Sequence, residues 1–364
     1  MAKTKIQWTA TWVDEMSPDR LALLKPLFRC SEDDGDEYNA QQRAALGGLP
    51  VRLPGFTFNG WIGCTRCSPG CEHCYAETMA KRAPNLVYGP APGAPRASRA
   101  HLPVWGPKAP RRVTSASYWQ QPLRWNRLAG EAGVKLRVFC ASLSDVFEDV
   151  AGSPVNDANT MQEWRERLWA LMEATPNLIW LVLTKRTENV DDMVPRSWVL
   201  RSGHLAPAWP RNVWLGFSGE NQEWFDRRWH HAQHLPAPVI FASLEPLLGP
   251  VVLPREFLAR RCWPIIGGES GAHARPFDLA WLRAILRQCR EWHEPVPAFV
   301  KQMGSRPVFS GVARPGEPAP LRLRDGHGHF EVLLDDPHGG DPAEWLADLR
   351  VREFPQERLT LDVG

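Results

Sequence analysis

The sequence predicts an α/β protein built on a full or partial β/α barrel of the TIM type, with an N-terminal insertion and a C-terminal tail. Three observations carry this. From residue 135 onward, short apolar runs rich in β-branched residues alternate with stretches of helical periodicity. The apolar runs are 136–142, 178–183, 213–217, 239–243, 264–266 and 298–300, and the helical stretches lie near 159–174, 222–234, 254–261 and 279–292. The runs are continuously apolar, the pattern of parallel strands covered on both faces. With the earlier run 56–62 the count reaches about seven strands, which suits a barrel or part of one.

In chain order, residues 3–12 are β-prone and predict a first short strand or hairpin. Residues from about 13 to 55 read as an insertion, with a helical patch at 17–28 and an acidic run at 32–37 that belongs in solvent. Cys30 stands alone there and is given no role. A helix is expected from Tyr75 to Arg82. After residue 304 the strand–helix rhythm fails and proline, glycine and charge rise. Residues 1–304 are therefore read as the barrel and 305–364 as an extension packed on it, with a helix near 342–349. His327 and His329, in a glycine-rich stretch of that extension, are expected to be exposed rather than metal-bound.

Bulk properties exclude more than they select. A net charge of +2 and a pI near 8.1 are too mild to name a partner. The sequence shows no run of membrane-spanning length and no secretory leader pattern, so a cytoplasmic, reducing setting is expected. The 34 prolines and 18 tryptophans predict long ordered loops, since 43% hydrophobic residues argue against disorder.

Half of the eight cysteines fall in Gly63-Cys64-Thr65-Arg66-Cys67-Ser68-Pro69-Gly70-Cys71-Glu72-His73-Cys74-Tyr75-Ala76. Thiolates so closely spaced are soft ligands beside soft ligands. Cys67, Cys71 and Cys74 form C-x3-C-x2-C, and Cys64, Cys71 and Cys74 form C-x6-C-x2-C. Either trio suits a [4Fe-4S] cluster with one iron left open, whereas all four together suit a closed cluster or a zinc site. Zinc is the alternative metal, but its structural knuckles are usually a dozen or more residues apart. Here three residues separate them. Disulfides do not suit the expected setting.

The segment from Gly63-Cys64 through Cys71-Glu72-His73-Cys74-Tyr75-Ala76-Glu77 resembles the motif of a phage-associated, radical-SAM-like family of uncharacterised proteins. That motif reads G-C-x6-C-x2-C-Y-A and is similar to the cluster loop of spore photoproduct lyase relatives. Further matching blocks are Lys5-Ile6-Gln7-Trp8-Thr9, Ser142-Leu143-Ser144-Asp145-Val146-Phe147, Leu183-Thr184-Lys185-Arg186, Asn212-Val213-Trp214-Leu215-Gly216, Glu245-Pro246-Leu247-Leu248-Gly249-Pro250, Gly267-Gly268-Glu269-Ser270-Gly271 and Lys301-Gln302. Gly339-Gly340-Asp341 and Asp348-Leu349-Arg350-Val351-Arg352 match near the end. The resemblance implies a radical-SAM-type barrel, a [4Fe-4S] cluster on Cys64, Cys71 and Cys74, and S-adenosylmethionine as cofactor. The family pattern has no cysteine at the place of Cys67.

Residues just past the strand ends of such barrels line one mouth, where chemistry collects. Here they are Asp145, Lys185 with Arg186, Glu220 with Asn221, Glu245, Glu269 with Ser270, and Lys301 with Gln302. Charges of both signs suit a zwitterion such as S-adenosylmethionine. Lys185, Glu220 and Glu245 are the candidate catalytic residues, and Asp145, Ser142, Asn221, Gly267, Gly268 and Glu269 are candidates for holding the cofactor. Asn221, Ser270 and Asp145 also suit helix caps, and Lys185 and Glu245 a structural pair. Radical-SAM enzymes place a Gly-Gly-Glu segment after their second strand. Gly267-Gly268-Glu269 follows a late strand, and Asp145 or Ser142 holds the early position.

Residues 81–130 contain no Asp or Glu, yet carry Lys81, Arg82, Arg96, Arg99, Lys108, Arg111, Arg112, Arg124 and Arg127. Trp105, Tyr118, Trp119 and Trp125 are interleaved. Positive charge with aromatics suits phosphate contact plus base stacking, so nucleic acid or another polyanion is the expected partner. The other reading is a basic segment whose aromatics pack on the barrel wall. The expected function is an iron–sulfur radical enzyme fed by an electron donor and acting on nucleic acid or another anionic substrate. The alternative is a non-catalytic nucleic-acid-binding protein stabilised by zinc or an iron–sulfur cluster.

Overall fold

The computed structural model describes residues 11–13, 22–24, 51–53, 55–82, 105–199, 208–310, 322–325 and 330–355. The acidic run, Cys30, Arg96, Arg99, His327 and His329 lie outside the described residues, and Lys81 and Arg82 are described by backbone alone.

Seven strands form the main sheet: β1 (Phe56–Phe58), β2 (Leu136–Cys140), β3 (Leu178–Thr184), β4 (Val213–Ser218), β5 (Ile240–Leu244), β6 (Trp263–Gly267) and β7 (Phe299–Gln302). Their order across the sheet is their order along the chain, and the registered neighbours run parallel. Right-handed crossovers that advance one strand at a time give this arrangement. It is the connectivity of a β/α half-barrel. Among the described residues β1 and β7 are not paired with each other, so the closed barrel offered as the fuller expectation is not formed. Six strands lie within about two residues of their predicted runs, because an apolar run long enough to be buried on both faces has few other ways to form. The run 56–62 instead breaks after Phe58, and Trp61–Ile62 pairs with Arg112–Val113 in a separate sheet.

The described residues fall into two compact units, one within 1–66, 75–214 and 236–238, the other within 67–74, 215–235 and 239–364. The first unit holds β1 to β3, with α1 (Tyr75–Arg82), α2 (Gln121–Glu131) and α3 (Ala158–Glu173). Pro122 opens α2, where its missing N–H costs nothing, and Asp157 caps α3 by accepting from Thr160 N at 2.7 Å. Here the aromatics of the basic segment are used up. Trp125 stacks on Phe56 at 4.7 Å, Tyr118 stacks on Phe58 at 5.1 Å, and Trp119 meets Phe58 edge-on at 5.3 Å. Trp119 and Trp125 are buried, so these two rings are core and are not surfaces for stacking bases. Of the β-prone start at 3–12, residues 3–10 lie outside the described residues; Thr11–Val13 forms a strand antiparallel to Val51–Leu53.

The second unit carries most of β4 and all of β5 to β7, with α4 (Gln222–Ala232), α5 (Arg255–Ala259) and α6 (Leu279–Glu291). In α6, Leu282, Ile285, Leu286 and Cys289 are buried at helical spacing, and Asp278 caps the helix by accepting from Ala280 N at 2.8 Å. A second sheet orders Phe277–Asp278, Pro307–Phe309, Phe330–Leu333 and Arg322–Asp325. It mixes residues from before and after position 304. The chain end then seals the edge of β7: Val300 N donates to Val351 O at 2.8 Å, and Glu353 N to Ala298 O at 2.9 Å. The Arg352 guanidinium covers the rings of Trp345 and Phe299 at 4.9 and 5.6 Å. The helix expected near 342–349 is two single 3-10 turns, Pro342–Glu344 and Ala347–Leu349. Among the described residues no helix is long and apolar enough to cross a membrane.

Gly216 on β4 sits opposite Phe241 on β5, and a Cβ at 216 would lie 2.1 Å from that ring. Gly216→Ala is therefore expected to destabilise the protein by about 1–3 kcal/mol through overpacking. A lowered urea midpoint at unchanged slope would show it.

Candidate functional site

The cysteine loop owes its shape in the second unit to two buried carboxylates. Ser68 Oγ donates to Glu220 Oε1 at 2.5 Å, and Arg228 Nη1 donates to Glu220 Oε2 at 2.6 Å. Glu220 and Arg228 are both buried, and Arg228 also donates to Ser218 O at 2.9 Å. A buried carboxylate is tolerable only with such partners. The loop must also approach it closely: a Cβ on Gly70 would stand 2.4 Å from Glu220 Oε1. Glycine at 70 is thus a steric requirement. The sequence placed Glu220 among catalytic residues, and the structure gives it the task of fixing the loop.

Glu269 makes the second clamp. One oxygen accepts from Arg275 Nη2 at 2.7 Å, and the other accepts from Arg275 N, Arg275 Nε and His73 Nδ1 at 2.9, 3.0 and 3.1 Å. Arg275 reaches on to Pro69 O at 3.1 Å and Glu72 Oε2 at 3.0 Å, both on the loop. Burial pushes the Glu269 carboxyl up, but the hydrogen bonds from Arg275 and His73 outweigh it and hold the group below its usual range. Between the two clamps the loop makes a 3-10 turn, Pro69–Cys71. Cys71 is buried with Ser68 Oγ at 3.8 Å from its sulfur, while Cys67 and Cys74 are half-buried.

Cys64 belongs to the first unit and sits above a different network. Arg111 forks onto Glu148, Nε to Oε2 at 2.7 Å and Nη2 to Oε1 at 2.8 Å, with both side chains almost fully buried. Arg186 pairs with Asp145 at 2.9 Å and donates to Thr65 O at 2.7 Å. Its Nη1 also lies 3.7 Å from the Cys64 sulfur. Burial, with Glu148 and Asp145 nearby, pushes the Cys64 thiol up to about 12 despite Arg186. Asp145 accepts from Thr184 Oγ1, Lys185 N and Phe147 N at 2.7, 2.9 and 3.0 Å. These partners, with Arg186, surround its carboxylate within the protein, and it caps no helix.

The remaining predicted residues are placed as follows. Asn221 caps α4 by accepting from Trp224 N at 3.1 Å, so its amide serves the helix. Glu245 forms an ion pair with Lys301 in place of the pairing with Lys185 expected from sequence. Lys185 has a half-buried side chain, and its backbone N–H serves Asp145. Ser142 Oγ accepts from Asn59 Nδ2 at 3.1 Å. Gly268 allows close packing of backbone, since a Cβ there would meet Met303 O at 2.3 Å; at Gly267 the nearest atom, Gln302 O, would be 3.3 Å away. Gln302 donates to Gly268 O at 3.0 Å and Ser270 Oγ at 2.8 Å. Arg111, expected to meet a polyanion, is buried on Glu148, and Arg127 pairs with Glu131 on its own helix. Lys108 and Arg124 are exposed, and Arg112 is half-buried.

Sequence reasoning did not find Ser68, Arg228, Arg275 or Glu148. The one available signal is Arg275, the sole acidic or basic residue apart from His273 between Glu269 and Asp278.

The donor set fits a soft metal centre in its chemistry: Cys64, Cys67, Cys71 and Cys74 lie on one short segment. Among the described residues, no three His, Cys, Asp or Glu side chains are gathered around a point that a metal ion could occupy.

The Asp145 carboxyl is subject to burial, which raises its pKa, but Arg186 and three hydrogen bonds prevail and hold it below its ordinary value of 3.8. The unfolded state then takes up protons first on acidification. The stability from Asp145 is present above the ordinary value and is lost as pH falls through the folded one. Urea midpoints measured from neutral pH down to pH 3 should fall more steeply for the natural protein than for Asp145→Asn. Parallel pH profiles would remove Asp145 from the network's energetics.

No curated protein and no solved structure matches this chain. A family match covers residues 51–331, which takes in the cysteine loop, all seven sheet strands and both clamps. On that match the chain belongs to the family described as "Protein of unknown function (DUF5131)".

Proposed function

We propose that this protein is an iron–sulfur, S-adenosylmethionine-dependent radical enzyme acting on nucleic acid or another anionic substrate. The observation that carries the reading is a segment of four closely spaced cysteines whose loop is clamped by buried acids from the ends of β4 and β6. Capping or solubility would not call for fully paired, buried Glu220 and Glu269 at those positions. Structural support of this kind is what precise ligand placement needs.

Cys71 and Cys74 are two of the ligands, and Cys64 is the third by the spacing of the motif. Arg186 Nη1 gives Cys64 a cationic N–H donor of the kind that tunes a thiolate ligand. When bound, a four-iron cluster with an open iron would supply the electron that cleaves the sulfonium C–S bond of the cofactor. The chain's own contribution is positional. Glu220, through Ser68, and Glu269, through Arg275 and His73, hold the loop backbone. The half-buried pair Lys301–Glu245 offers one charge of each sign to a zwitterionic ligand.

Iron and acid-labile sulfide in protein purified without oxygen test the reading, together with formation of 5′-deoxyadenosine on reduction. Cys64→Ala, Cys71→Ala and Cys74→Ala should each lose iron and cofactor cleavage, and Cys67→Ala should keep both. Zinc in place of iron, or a cluster that needs all four cysteines and ignores the cofactor, would replace the enzyme with a metal-stabilised binding protein.

Gly70→Ala should lower iron content by forcing the loop off Glu220, and should also lower stability by about 1–3 kcal/mol, as Gly216→Ala should without any loss of iron. Full loading in Gly70→Ala would show that the clamp is not needed for the metal.

A further inference from the structure

The second unit also contains a cleft of about 460 Å³, apart from the cysteine thiols. This lies within the ~300–1,000 Å³ usual for small-molecule sites. One wall is the turn after Glu269 that includes Ala272 and His273; the others are Arg306 with Pro307, and the hairpin strands carrying Arg324, Glu331 and Val332.

The charges in it are unevenly matched. Glu331 lies directly across the hairpin from Arg324 and accepts from its Nε at 2.9 Å and from its Nη2. The same carboxylate accepts from Arg306 Nε at 3.3 Å. Two guanidinium groups thus share one carboxylate, which leaves the cleft one positive charge in excess. Among the described residues, the terminal amino groups of Arg306 have no protein acceptor. Arg306 is 44% and Arg324 67% exposed, against 15% for Glu331, so the unsatisfied donors are on the open side. A planar guanidinium fork with open N–H groups matches the oxygens of phosphate. Leu333, exposed on the same strand as Glu331, and the exposed Ala272 supply an apolar edge beside it, which suits a sugar or base edge and has no use for inorganic phosphate alone.

We propose that this cleft binds the phosphate of a nucleotide, either free or within a single strand, with Arg306 as the principal contact and Arg324 as the second. Glu331 orients both arginines and is not itself a ligand. The site is built without any cysteine, so it does not depend on the cluster reading.

Calorimetric titration of the full chain with 5′-AMP, adenosine and a short single-stranded oligonucleotide tests it. Saturable binding of at least one phosphate probe is expected, with none for adenosine. Arg306→Gln should weaken that binding at least tenfold, and Arg306→Gln/Arg324→Gln should abolish it, with thermal unfolding unchanged. Binding of the oligonucleotide in competition with 5′-AMP, with a steeper salt dependence, would identify a strand as the source. Binding of 5′-AMP alone would identify a free nucleotide. Absence of saturable binding to either probe, equal binding of adenosine, or undiminished affinity in Arg306→Gln would overturn the proposal. Iron content measured on the same preparations keeps this outcome separate from that of the cysteine loop.

Discussion

A carboxylate removed from water must be met by fixed donors, and the ordered part of the cysteine loop depends on that constraint. Glu220 is buried, and its oxygens are taken by Ser68 and Arg228. Removing one member of such a pair typically costs about 3–5 kcal/mol, because the other is left charged and dry. The loop therefore has little freedom at Ser68, and Gly70 must be glycine for the chain to lie against the acid. Glu269 repeats the device with Arg275, which spans from the end of β6 to Pro69 O and Glu72.

The first unit solves the same problem with more members. Arg111, Glu148, Arg186 and Asp145 form a mostly buried set with two charges of each sign. Arg165 adds donors to the backbone carbonyls of Val146 and Glu148, at 2.9 and 2.6 Å. The four paired groups Arg111, Glu148, Arg186 and Asp145 are neutral overall, which is how they can share a dry interior. The two arginines among them also reach Thr65, next to Cys64, through its hydroxyl and its carbonyl.

The basic segment shows how a suggestive composition can divide once folded. Arg111 is consumed by Glu148, and Trp119 and Trp125 are consumed by the core of the first unit. The excess of open arginine donors instead appears in the cleft at Arg306 and Arg324, a stretch whose composition drew no notice. Clustering in sequence and clustering on a surface are different properties. An arginine is available to a partner only if no nearer carboxylate has already taken it.

Much of the fold was legible in the residues themselves. Seven apolar runs became seven sheet strands, since a continuous apolar run is satisfied only by burial on both faces. Asn221 capped a helix, as its position before Gln222 allowed, because a cap needs only the next few residues. The strand-end acids were also visible as positions. Their roles were not, because those depend on partners remote in the chain: Ser68 meets Glu220 across 152 residues, His73 meets Glu269 across 196, and Arg275 meets Pro69 across 206. What the sequence alone determined was which residues must be buried and where charge must follow a strand. Which charges meet was decided only by the tertiary structure, since pairing depends on distance in space and desolvation makes each buried charge accept the partner that the fold delivers.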